Sequence, residues 1–149
     1  MLSFSADDVS KNVAVAINLF ATAKAALPSF RDPVHSAHPK AFIVTGNLFP
    51  FHHDIPTVYW SIGVQKTLIA RVVGNAATDY APSGIKFYFA SLVSDDGKFP
   101  EYAGEFRKSA EVHANVYWDL INAPADGDWD FRCVSCISVC YMQTFDLLF

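Results

Sequence analysis

The chain has 149 residues, 52% of them hydrophobic and 17% charged, which suits one domain with an ordinary buried core and excludes extended disorder. Eleven basic against 15 acidic residues give a net charge of −4, and the basic residues are scattered, so nucleic acid is excluded as an expected partner. Lys11, Lys24 and Arg71 interrupt the longest apolar runs before the roughly 18 to 20 residues of a membrane span, and the N-terminus carries acids where a signal peptide is basic; a cytoplasmic protein that does not meet the membrane is expected.

In chain order, the first segment, SADDVSKNVAVAINLFATAKAALPSF, reads as a helix. Ser5 caps it, Asp7 and Asp8 suit its positive end, and Val9, Val13, Ile17, Phe20 and Leu27 recur at three- to four-residue steps until Pro28 stops it. RDPVHSAHPK reads as a loop. AFIVTGN is a short apolar run closed by Gly46 and Asn47, the pattern of a strand buried on both faces. A second helix covers about Thr57 to Tyr80, with Trp60, Val64, Leu68, Val72 and Ala76 on one stripe, and APSG breaks it. IKFYFASLV is a second strand and SDDGKFP a turn. Phe106, Ala110, His113, Tyr117 and Leu120 then mark a third helix, Phe106 to Ile121, before an ambiguous, β-prone tail.

Apolar strands alternating with helices imply right-handed crossovers and a parallel sheet covered on both faces, a three-layer α/β sandwich. Two clear strands are few for a domain. The seven glycines never fall two apart, so neither a P-loop nor a G-x-G-x-x-G turn occurs.

Taken together, AVAINLFATAKAALPSF, AFIVTGN, SIGVQKTLIARVV and GIKFYFASL resemble the second half of a short-chain dehydrogenase/reductase, notably the divergent fungal members of that family, from about Val9 to Trp129. The resemblance implies an α/β fold, a partial Rossmann-like three-layer α/β/α sandwich with its N-terminal strands missing, over residues 1–129. Residues 130–149 then form a divergent tail. It further implies an NAD- or NADP-dependent oxidoreductase acting on a small carbonyl or alcohol, and a homo-oligomer built through the first two helices.

Site residues follow from the same resemblance. Asn18 corresponds to an asparagine that positions a proton-relay water, and Asn47, with Thr45 nearby, to a serine that bonds the substrate oxygen. Lys66 corresponds to the lysine that binds the nicotinamide ribose, and Ser91, Leu92 and Val93 to a segment that touches the nicotinamide. One departure stands out: the general-acid tyrosine belongs four residues before Lys66, where this chain has Ile62. Isoleucine transfers no proton. Tyr59, seven residues before Lys66, shares its helical face but lies too far along the axis to substitute. An impaired, truncated enzyme is therefore one expectation, and a non-catalytic interaction module, with an open strand edge and apolar helix faces, is the other.

Each of these residues also has a plain structural reading: Lys66 as a solvated helix residue, Asn18 as a helix residue bonded to a loop, Asn47 as a turn former, and Ser91 to Val93 as a strand exit. His35, His38, His52 and His53 would hold a metal only if their loops converged. Cys133, Cys136 and Cys140 fall one ligand short of a closed zinc site and read as an incidental apolar tail.

Overall fold

The computed structural model describes residues 4–100, 109–124 and 127–134. Helix α1 spans Ala6–Arg31. Its start is a capping box: the Asp8 N–H donates to Ser5 Oγ at 3.1 Å, and the Ser5 N–H donates to the Asp8 carboxylate at 2.9 Å. Pro28 lies inside the helix instead of ending it. In the last turn the missing N–H forfeits only one intrahelical bond, and the helix runs on to Arg31 before Asp32 caps a short 3₁₀ turn.

The inward face of α1 is formed by Asn12, Ala16 and Ala23, with Leu19, Leu27 and Phe30 packed beside them. This corrects the stripe expected from the large apolar residues. Ile17 and Phe20 stay 59% and 55% exposed, because the small alanines are what allow α1 to approach its neighbours closely. The most apolar 18-residue window of α1 has a mean hydropathy of 1.5 and is 11% buried, so Lys11 and Lys24 alone do not exclude a membrane span by length and composition.

Strands β1 (Lys40–Thr45), β2 (Ile85–Val93) and β3 (Asp130–Val134) form one parallel sheet in the order β1-β2-β3. Lys40 to Thr45 pair with Ile85 to Ala90, and Phe89 to Val93 pair with Asp130 to Val134. All nine residues of β2 are buried, as the central strand requires. β1, expected to be buried on both faces, buries only Val44, since among the described residues it is an edge strand. The ambiguous stretch after Trp129 begins as the third strand of this sheet; Cys136 and Cys140 lie outside the described residues.

A 3₁₀ turn, Thr57–Tyr59, leads into α2, Trp60–Tyr80. Burial there falls on Gly63, Ile69, Ala70 and Val73, while the expected stripe of Trp60, Val64, Leu68, Val72 and Ala76 is only half-buried. The cause is that α2 packs against both α1 and the sheet, so its core face points between the two. Gly84, at φ 68°, turns the chain from α2 into β2 in a conformation that disfavours other residues. Helix α3 is described over Ser109–Asn122, and its expected start at Phe106 lies outside the described residues.

Strand alternation sends Phe87 and Phe89 to the α1/α2 side, and Tyr88, Ala90 and Leu92 to the side covered by Val116 and Leu120 of α3. The result is an α/β/α sandwich consistent with part of a Rossmann-like fold. One expectation changes. The chain steps the same way across the sheet from β1 to β2 to β3, yet α2 and α3 lie on opposite faces. The two crossovers are therefore of opposite hand, although right-handed connections were expected throughout.

Candidate active site

In open parallel sheets, ligands gather at the carboxyl ends of the strands. At that end of β1, three elements converge on Thr45. Lys66 Nζ, from α2, donates to the Thr45 carbonyl oxygen at 2.6 Å. Burial of this half-exposed amine lowers its pKa from 10.5, since desolvation disfavours the ammonium. From the other face, the Tyr117 hydroxyl of α3 shares a 2.5 Å hydrogen bond with Thr45 Oγ1.

The next residue fixes the local backbone. The Gly46 N–H donates to the Ala90 carbonyl at 2.6 Å, extending the β1–β2 ladder. A Cβ at Gly46 would sit 2.5 Å from Ser91 Oγ and 2.6 Å from the Phe89 ring, so only glycine fits. Ser91 Oγ is fully buried and has no hydrogen bond among the described residues.

The other expected site residues have plain positions. Asn47 Oδ1 accepts the Phe49 N–H at 3.1 Å and so closes a turn. Ser91, Leu92 and Val93 are the buried last residues of β2, paired with Arg132, Cys133 and Val134. Asn18 is exposed on α1, where its carbonyl accepts the Thr22 hydroxyl. Ile62 lies one turn before Lys66 and is 37% exposed. Tyr59 stacks on Phe49 at 5.7 Å. His35 and His38 stand 6.3 Å apart, and no group of three His, Cys, Asp or Glu side chains converges among the described residues.

Two residues escaped the sequence reading. Asn12, not Asn18, is the buried asparagine of α1; its amide donates to the Asp8 carbonyl at 2.7 Å and to Ser61 Oγ at 3.3 Å, and it accepts from Gln65 at 2.6 Å. The spacing of Asn12, Ala16, Leu19, Ala23 and Leu27 carried that signal, but the larger Ile17 and Phe20 drew the stripe elsewhere. Tyr117 gave no local signal, because its partner Thr45 is 72 positions away.

A groove of about 800 Å³ lies at the opposite end, between Leu27, Arg31 and Tyr80. Arg31 stacks over the Tyr80 ring there at 5.5 Å. The carboxyl end holds the lysine, hydroxyl and phenol in hydrogen-bonded contact, and it is the better candidate for chemistry.

No family model matches the chain, and no solved structure matches it. Among curated proteins, it is 33% identical over 113 residues to the short chain dehydrogenase/reductase dmxR12 of Cryptosporiopsis sp. (strain 8999). The match covers 74% of this chain and 42% of that protein, so the chain spans less than half the length of the relative it matches. With its three-stranded parallel sheet between helical layers, the chain is a divergent short-chain dehydrogenase/reductase-like protein.

Proposed function

We propose that the chain serves an NAD(P)-dependent oxidoreductase acting on a small carbonyl or alcohol in the cytoplasm. The observation that carries this reading is Lys66, held 2.6 Å from the last carbonyl of β1 at the ligand-binding end of the sheet. Similarity to a short-chain dehydrogenase/reductase supports it.

The residues present fit the nicotinamide-ribose end of such a cofactor. Lys66 offers an amine beside the carboxyl edge, and the buried Ser91 hydroxyl behind Gly46 has no hydrogen bond among the described residues. Lys66 would hold the ribose, with Ser91, Leu92 and Val93 backing the nicotinamide. Asn47 and Thr45 flank the position of the substrate oxygen, and Asn18 is the proposed relay asparagine on α1. A glycine-rich turn for the pyrophosphate does not occur in this sequence. When bound, NAD(P)H would supply the hydride.

The test is a fluorescence titration with NADH and NADPH. Saturable micromolar binding is expected, weakened at least about tenfold in Lys66→Ala, which corresponds to about 1.4 kcal/mol. Absence of binding up to millimolar nucleotide by folded protein would overturn the reading.

A second reading, an association module, is favoured by one observation: Ile17 and Phe20 of α1 are more than half exposed on a helix layered against α2. A second copy of the chain, docking through these two helices, would cover them.

A further inference from the structure

We propose that Tyr117 supplies the proton-donating phenol at the carboxyl edge of β1, the role for which Ile62 has no suitable group; this rests on the oxidoreductase reading above. Two groups from opposite layers meet on one residue. Thr45 uses its hydroxyl to bond the Tyr117 hydroxyl at 2.5 Å and its carbonyl to accept from Lys66 Nζ at 2.6 Å. A phenol and a lysine that lie 51 positions apart in the sequence, instead of four, are thus both bonded to one residue.

The surroundings suit proton donation. Thr45 is exposed at the end of its strand and Tyr117 is half-buried, so a small carbonyl compound has access to the hydroxyl. The His113 ring packs edge-on against the Tyr117 ring at 5.8 Å and 87°, which restricts the ring's orientation. In carbonyl reduction, hydride for the carbonyl carbon would be supplied by the nicotinamide nucleotide that Lys66 is proposed to hold. The Tyr117 O–H bond breaks as its proton bonds to the substrate oxygen. Thr45 Oγ1 then donates to the phenolate, and the positive charge of Lys66 beside the same residue stabilises it until water returns the proton.

A purely structural tie between α3 and the sheet would show the same hydrogen bond, so the test needs a readout that such a tie would not move. The protein is labelled with 3-fluorotyrosine at its six tyrosines, and the Tyr117 fluorine signal is assigned by its loss in Tyr117→Phe. Cyclohexanone is then titrated in the presence of NADP⁺, and NADPH-dependent reduction of cyclohexanone is measured alongside. A saturable shift confined to the Tyr117 resonance is expected, together with a fall in kcat of about 100-fold or more in Tyr117→Phe at unchanged NADPH affinity. Introducing Ile62→Tyr into the Tyr117→Phe chain is expected to restore part of that rate. If nucleotide binds but the Tyr117 signal ignores the ketone, or Tyr117→Phe keeps wild-type kcat, the proposal falls and the oxidoreductase reading stands. If the signal is unmoved and no nucleotide binds, both fall.

Discussion

At the scale of single residues, the candidate site depends on one glycine and one lysine. Gly46 has Ser91 and Phe89 where a β-carbon would go, and both neighbours are fully buried. Gly46→Ala is therefore expected to lower stability by about 1–3 kcal/mol, through overpacking of a site that cannot relax into solvent. Urea denaturation checks this, and a midpoint equal to wild type would show that the strand end yields. Lys66 was legible only through the resemblance to the family's tyrosine–lysine pattern, a match confined to one short stretch of chain. Asn12 was less legible, since its value depends on meeting Ser61 and Gln65, which lie on another helix. Tyr117 was read as part of a helix stripe, and its pairing with Thr45 emerges only when α3 lies across the sheet.

At the scale of elements, α3 is fastened by a buried lysine. Lys86 is 7% exposed, and its amine donates to the Ile121 and Ala123 carbonyls at 2.7 and 2.6 Å, occupying acceptors at the C-terminal end of the helix. Lys86→Met leaves those carbonyls unpaired, and a loss of about 1–3 kcal/mol is expected, with faster amide exchange in α3 than in α2. The pH dependence has a definite sign. Burial lowers the Lys86 pKa below 10.5, so the unfolded chain binds more protons in the window between the lowered value and 10.5. Stability contributed at this position thus rises as pH rises through that window, and the Met variant lacks the rise. Denaturation curves for both proteins between neutral pH and pH 10 test it. Helix existence and approximate span were legible from apolar spacing and capping, down to the Ser5 cap, while the reciprocal bond to Asp8 came from the structure. Helix faces were not, because α1 uses alanines for close approach and leaves its large side chains outward.

At the scale of the whole molecule, the outer face of α1 bears on assembly. Val9, Ile17 and Phe20 stand on the same helix and remain 38%, 59% and 55% exposed. Association through the first two helices is expected, so sedimentation should show a dimer or larger species that Phe20→Glu shifts toward monomer by at least tenfold in dissociation constant. A wild-type chain that stays monomeric at all concentrations would refute it. Composition and periodicity by themselves determined that the chain is α/β, with parallel strands between helices. The resemblance to a known family's sequence pattern singled out Lys66 and the absence of a tyrosine four residues before it, because both are offsets between neighbours along the chain. Only the tertiary structure decided the third strand, the opposite hands of the two crossovers, which asparagine is buried, and the meeting of Lys66 and Tyr117 on Thr45. Those depend on which faces of distant segments pack together, and packing is a balance of burial and steric fit over the whole fold that no local window contains.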